Sequence, residues 1–422
     1  NVVAWFAGHG HANSRVSRHG IEFFSTGCVS DERGNKNAEQ GYRVVQVWKD
    51  HVKTRYRTLD EFRSIIQVGQ SKDADVQGDT GRAIREALGA ASPGDTVRIL
   101  DGTYMVRKSV KLKSGVTIGG TDGAVVKLPS PVHAGPAEKG SRSLAVSGTS
   151  QFRAGDEVEI RPPSGRKTFP DSNKKKLMVT IKSVEKSGLE LANPLSARIP
   201  DDSRLGYNNN LFQSRGQALQ NVTIRNLTID GGRTAAIPRL HGHMNRSAVA
   251  VSGGYSYGGG PVDGKAVRNL RIINCHVRDC YGRAVAMYYV LNGAVKGCTI
   301  ENINDEGIDF DHFTRRCRAV GNEVKNARTG VTINDGAYCT VEYNRIVGCN
   351  PGVKMWWWHK CPQKNIDIRN RIRHNIVLSG DEGTAISLGR RCRWNRVIGN
   401  VVSGTITIEE RARNVVEHNR QR

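Results

Sequence analysis

Between residues 284 and 409 the chain repeats one short pattern: AVAMY (284–288), GIDFD (307–311), GVTIN (330–334), GVKMW (352–356), AISLG (385–389) and TITIE (405–409). Each copy alternates with a period of two, which predicts a strand with one buried face. The inward positions are Val285 and Met287, Ile308 and Phe310, Val331 and Ile333, Val353 and Met355, Ile386 and Leu388, and Ile406 and Ile408. All of them are apolar.

A second column runs between these strands. It reads GNEV, YNRI, HNIV, GNVV and EHNR around Asn322, Asn344, Asn375, Asn400 and Asn419. Upstream, Leu227, Cys275 and Cys298 occupy the same place. From Cys275 onward the steps are 19 to 31 residues; the longer step from Leu227 contains the glycine-rich insert SGGYSYGGGPVDGK. Short strands recurring at such a period predict a solenoid whose successive rungs share one core.

These features, a stacked asparagine column and three short strands per rung, resemble the right-handed parallel β-helix of the pectate-lyase-like superfamily of carbohydrate-active proteins. The resemblance covers roughly residues 76–420 and implies an all-β solenoid with rungs of about 22–25 residues. The segment GDTGRAIREALGAASPGDTVRILDGTYMV is similar to that superfamily's leading segment. Asp79 or Thr80 can cap a helix with Ile84, Ala87, Leu88 and Ala91 on one face, and such a helix would cover the open end of the coil. Residues 1–75 show no repeat and form an extension of unassigned role. Residues 140–205 interrupt the rungs as a small β excursion within the 76–422 solenoid.

Composition refines this picture. Glycine is abundant at 47 residues and aromatics make up only 6%, which suits a turn-rich β fold. The net charge of +23 points to an anionic partner, and an acidic polysaccharide fits the resemblance. The arginines are spread over many rungs rather than set in a nucleic-acid module, so no nucleic-acid partner is expected. No apolar run approaches the roughly 18–20 residues of a membrane span. Nine cysteines, an odd number without zinc-like spacing, do not make a disulfide framework; Cys275, Cys298, Cys317 and Cys339 recur once per rung and read as packing. The first residues, NVVAWFAGHGHA, lack an initiator methionine, and the expectation is a trimmed form of a secreted or periplasmic protein.

The candidate chemistry lies on the outward positions. If Ile308 and Phe310 point inward, Asp309 and Asp311 point outward. Rungs stacked about 4.8 Å apart then bring Ala286, Asp309, Thr332, Lys354 and Ser387 into one column. Tyr288, Asp311, Asn334, Trp356 and Gly389 form the next. Two aspartates on one strand are unusual, since Asp is depleted there. The expected catalytic set is Asp309, Asp311, His312, Lys354, Tyr288 and Arg315. The expected substrate-binding set is Asn334, Trp356, Trp357, Trp358, His359, Lys360, Arg316 and Arg390, with the tryptophans as a platform for sugar rings. His241 and His243 offer a weaker alternative.

Three kinds of chemistry fit. Proton abstraction beside a uronate carboxyl needs a neutralising cation and a base; Lys354, Arg315 and Asn334 can neutralise, and His312, Tyr288 or Lys354 can carry the proton. This lyase or C5-epimerase reading ranks first. FDH followed by a basic turn is similar to the Asp-Pro-His motif of mannuronan epimerases, without its proline. Asp305, Glu306, Asp309 and Asp311 can alternatively hold Ca²⁺ through their oxygens. Hydrolysis needs two carboxyls, and residues i and i+2 on a strand, about 6.6 Å apart at Cα, suit an inverting pair. NDEGID (304–309) resembles the NTDGID element of polygalacturonases. That family's paired aspartates, Gly-His-Gly and Arg-Ile-Lys do not follow at the expected rungs, and GVKM keeps only the lysine. A non-catalytic, tailspike-like glycan binder is the third reading.

Overall fold

The computed structural model describes residues 65–238, 246–256, 258–358, 367–380, 382–410 and 413–422 with side chains, and five earlier strands by backbone alone. His241, His243, His359 and Lys360 lie outside the described residues. Among the early strands, Ala4–Ala7 pairs parallel and Ser14–Arg18 antiparallel with Ile21–Ser25, and Gly41–Val47 pairs antiparallel with Val52–Thr58.

From Ile65 the chain winds as a parallel β-helix. One sheet of 12 strands and another of 17 run its length, with parallel pairing between successive rungs. The first rung strand, Ile65–Gly69, pairs with Thr96–Ile99 in the same sheet, so the solenoid begins before the expected residue 76. The expected inward residues from Val285 to Leu388 are fully buried in one continuous core. Ile406 and Ile408 are only half-buried, because Thr405–Ile408 pairs with a rung on one side alone.

The helix Gly81–Ala90 covers the first rungs, burying Ala83, Ile84, Ala87 and Leu88, with Ala91 buried just beyond. Thr80 holds the N-cap position without a side-chain cap. It is held instead as an extended bridge to Met105, whose N–H donates to the Asp79 carbonyl. At the other end Lys113 Nζ donates to the carbonyls of Leu88, Gly89 and Ala91, satisfying groups that a helix C-terminus leaves free. The β excursion is an antiparallel six-stranded unit between Val132 and Gly206 with its own apolar cluster, so its first strand lies before the expected residue 140.

The rungs turn at three corners by one device. A residue with positive φ is followed by a residue turned into the core. One corner uses Asn226, Asn274, Gly297, Gly321, Tyr343, His374, Gly399 and His418, and the next residues are Leu227, Cys275, Cys298 and the asparagine column. Each asparagine accepts a backbone N–H from the previous rung: Asn322 donates to Asn344 Oδ1 at 2.9 Å, Asn344 to Asn375 and Asn375 to Asn400 at 3.0 Å. A second ladder escaped the sequence reading. Asn370, Asn395 and Asn414 continue the column of Cys317 and Cys339, with Cys339 N–H donating to Asn370 Oδ1 at 2.8 Å. The seven described cysteines are free and buried, and so serve as packing.

Candidate functional site

The outward columns form in the expected register. Ala286 pairs with Asp309, Asp309 with Thr332, Thr332 with Lys354 and Lys354 with Ser387; Tyr288 pairs with Asp311, and Asn334 with Trp356. Asp309 and Asp311 therefore leave the core, as expected, but they are not open to solvent. Asp309 is 0% and Asp311 3% exposed. The cover is Arg283, a residue the sequence reading missed.

Arg283 precedes the Val285–Tyr288 strand, and continuing that strand's register backward brings it beside Glu306. Its Nε–H donates to Glu306 Oε2 at 2.6 Å, and the same nitrogen lies 2.9 Å from Asp309 Oδ2. Asp305 lies 3.7 Å and Asp311 4.0 Å from the same guanidinium, and Nη1 donates to the Tyr288 hydroxyl. Arg328, also missed, holds the outer side through Asp305 Oδ1 and through Glu306 Oε1 at 2.7 Å. Register could have found both arginines, since each lies level with an acidic residue of the neighbouring rung.

Asp311 Oδ1 accepts from the His312 backbone N–H at 2.8 Å and from Asn334 Nδ2 at 2.9 Å. His312 Nδ1 lies 2.7 Å from Asp335 Oδ2, and Asp335 Oδ1 accepts the Trp358 N–H at 2.9 Å. Several buried atoms here have no hydrogen-bond partner: both oxygens of Asp309, Asp305 Oδ2, Thr332 Oγ1 and Asn334 Oδ1. Buried polar groups are rarely left so; Asp309 Oδ2 keeps the Arg283 ion pair, and water or a bound group would complete the bonding of the rest.

Burial and crowding set the protonation. Burial pushes the Asp309 carboxyl well above the usual carboxylate range against the pull of Arg283, with Asp311, Glu306 and Asp305 adding repulsion. Asp311 is also raised by burial, opposed by His312 and Arg283. Asp305 rises through burial and its neighbour Glu306. Glu306 is lowered, because Arg283 and Arg328 outweigh its burial. Tyr288 is pushed well up by burial and by Asp311. Asp305, Asp309 and Asp311, crowded together and buried, therefore hold their protons more tightly than isolated carboxyls, whereas Glu306 is held ionised by Arg283 and Arg328.

The calcium expectation does not fit this arrangement. Ca²⁺ needs several oxygens at 2.3–2.6 Å, and the point on which Asp305, Glu306, Asp309 and Asp311 converge is taken by the Arg283 guanidinium. Among the described residues no group of three or more His, Cys, Asp or Glu side chains is arranged to hold a metal.

Other expected residues fall around the centre or away from it. Lys354 is half-buried with Nζ 4.8 Å from the Trp356 ring, and burial and Arg328 lower its ammonium. The tryptophans are not an open platform: all three are half-buried. Trp358 lies against His312 with ring centres 5.1 Å apart, and Trp357 carries the Arg391 guanidinium 3.8 Å over its ring. Three adjacent tryptophans escape full exposure because Phe313 gives Trp357 and Trp358 a surface to pack on. Arg315 and Arg316 are exposed and line a different corner, with Tyr338. Arg390 is exposed and paired with Glu409 at 3.3 Å.

Tyr288 also borders a groove of about 500 Å³ along the same outer face. It is lined by Gln213, Ser214, Ala250, Ser252 and Tyr255, groups suited to hydroxyl-bearing ligands, and by the exposed cation Arg215.

Comparison with known proteins agrees with the winding seen here. A family model described as a right-handed β-helix region matches residues 210–371. The protein is a right-handed parallel β-helix. No curated protein matches its sequence. Similar solved structures include one titled a glycoside hydrolase (11% identity, TM-score 0.42, covering 84% of this chain and 96% of that one). Another is the polygalacturonase from Erwinia carotovora ssp. carotovora (11% identity, TM-score 0.40, 85% and 93%). A third is the N-terminal fragment of bacteriophage phi29 gene product 12 (13% identity, TM-score 0.45, 76% and 50%), of which this chain spans half the length. At these identities the likeness concerns the fold alone. No described helix is long and apolar enough to cross a membrane.

Proposed function

We propose that this chain is a glycoside hydrolase acting on an acidic polysaccharide, with Asp309 and Asp311 as its acid–base pair. The observation that carries this reading is the raised protonation of two neighbouring carboxyls on one outward strand position set. A carboxyl that keeps its proton near neutral pH is what a leaving glycosidic oxygen requires. Asp309, the more strongly raised of the two, is the acid that protonates the leaving oxygen. Asp311, beside the groove-lining Tyr288 and accepting from the His312 N–H and Asn334, is the partner carboxyl that takes the proton of the attacking water. The i, i+2 spacing is compatible with inversion. The net charge of +23 supports an acidic substrate.

The lyase reading, first on sequence grounds, draws less support. Arg283 and Arg328 are committed to carboxylates, and Arg315 and Arg316 stand on another corner, which leaves Arg215 in the groove and Lys354 to neutralise a uronate. One observation keeps it second: burial and Arg328 lower the Lys354 ammonium, which moves this residue toward the base the reaction needs. Polygalacturonate and related acidic glycans test the choice. Hydrolysis gives new reducing ends without the ultraviolet band of an unsaturated uronate. That band appearing in step with cleavage would overturn the hydrolase in favour of the lyase.

A further inference from the structure

The corner between the outer-face strands and the 12-stranded sheet uses the same positive-φ device but fills it with four large residues in successive rungs. Its positive-φ column begins Asn221, Asn269, Asn292 and continues Arg316, Tyr338, Arg369, Trp394, all with φ between 55° and 58°. Asparagine tolerates this conformation; arginine, tyrosine and tryptophan rarely adopt it. The residues behind them are ordinary ladder residues, Cys317, Cys339, Asn370 and Asn395, so the turn itself does not call for bulk. What the large residues share is outward projection from successive rungs. Tyr338 is 38% and Trp394 52% exposed, and Arg316 and Arg369 are exposed as well.

The register is continuous. Arg316 N–H donates to the Ala337 carbonyl at 3.1 Å, and Tyr338 N–H to that of Ile368 at 3.0 Å. Cation and aromatic ring thus alternate at about the rung spacing of 4.8 Å. Arg369 stands 5.7 Å over the Tyr338 ring. Two hollows of about 150 and 460 Å³ flank the row and share Arg315 and Tyr338, and none of their described lining residues is acidic. On another corner Tyr343 and His374 stack at 5.4 Å, and in the present row Arg369 Nη1 likewise donates to the Tyr338 hydroxyl at 3.4 Å. Trp394 has no described ring partner of that kind.

We propose that the Arg316–Tyr338–Arg369–Trp394 row is an accessory binding strip for an acidic polysaccharide chain lying along the solenoid, apart from the Asp309–Asp311 centre. Sugar rings lie on Tyr338 and Trp394, where the C–H face of a pyranose meets an aromatic face. Uronate carboxylates meet Arg316 and Arg369, whose planar guanidiniums bind carboxylates in bidentate fashion. The identity of the ligand rests on the acidic-glycan reading above; the geometry of the strip does not.

The test replaces Tyr338, Arg369 and Trp394 together by asparagine, the residue the same corner uses in its earlier rungs. Because asparagine suits the positive φ, the triple variant should melt no lower than the parent. Its affinity for polygalacturonate should fall roughly tenfold or more, about 1.4 kcal/mol, with neutral dextran bound by neither protein. Turnover of a short uronate oligosaccharide should not change. Undiminished polygalacturonate binding by the triple variant would overturn the strip, as would parent binding to dextran or single-stranded oligothymidylate in preference to polygalacturonate. An inactive chain whose polygalacturonate binding still falls in the triple variant would sink the hydrolase reading and leave the strip standing.

Discussion

Arg283 Nε lies 2.9 Å from Asp309 Oδ2, and both groups are shut away from solvent on the outside of the solenoid core. The guanidinium serves four carboxyls at once, and its own charge is held firmly by them although burial opposes it. Removing one partner of a buried ion pair strands the other. Arg283→Met should therefore destabilise the fold by about 3–5 kcal/mol in denaturant unfolding. Adding Asp309→Asn should recover part of that loss. A double variant no more stable than Arg283→Met would mean that Asp309 is not the charge Arg283 compensates.

Asp311→Asn keeps the shape and removes the base. Its Oδ1 can still accept from the His312 N–H, so melting should shift little. Turnover should fall by about 10²–10⁴-fold, the usual contribution of a positioned acid or base. Wild-type turnover in a normally folded Asp311→Asn variant would remove this residue from the mechanism.

The raised carboxyls also govern stability against pH. A group whose folded pKa lies above its unfolded value, about 3.9 for Asp, binds its proton more tightly when folded. Its contribution is complete below the unfolded value and is lost as pH rises through the folded one. Asp309 and Asp311 both shift upward, so the cluster should weaken the fold progressively above about pH 4. Urea unfolding across pH should show a falling limb that Asp309→Asn flattens. Deprotonation of Asp309 should also end activity on the alkaline side. A limb of equal slope in Asp309→Asn would assign the titration elsewhere.

The fold was legible because its signal is periodic. Alternation placed Phe310 inward and Asp309 outward, and a one-residue slip would have inverted both. Periodicity reports direction, not cover, so it could not tell that Arg283 would close over Asp309. Arg283 and Arg328 carry no pattern of their own; they become visible only when neighbouring rungs are aligned. The second asparagine ladder was hidden because Cys317 and Cys339 occupy its first rungs and the steps to Asn370 and Asn395 are uneven, 31 and 25 residues. The tryptophans misled because their exposure depends on Phe313, a packing partner that no local pattern announces.

The asparagine ladder yields a graded prediction. Asn344 Nδ2 donates to the Ala319 carbonyl and to Asn375 Oδ1, both at 2.9 Å, while its own Oδ1 accepts from the backbone and side-chain nitrogens of Asn322. Asn344→Ala removes all four bonds and leaves the Asn322 N–H and the Ala319 carbonyl buried without these partners. Each stranded group costs about 1–3 kcal/mol, with relaxation offsetting part, so a loss of roughly 2–4 kcal/mol is expected. Asn344→Cys should cost less, because Cys298 fills this column one step above the ladder and its sulfur accepts the Cys275 N–H at 3.5 Å. Asn419→Ala should cost least, since Asn419 is only half-buried and water can replace its partners. Denaturant unfolding should thus rank Asn344→Ala, Asn344→Cys and Asn419→Ala in decreasing damage. Equal losses at Asn344 and Asn419 would show that burial of the ladder does not set its strength, and that the rungs are held by their apolar core alone.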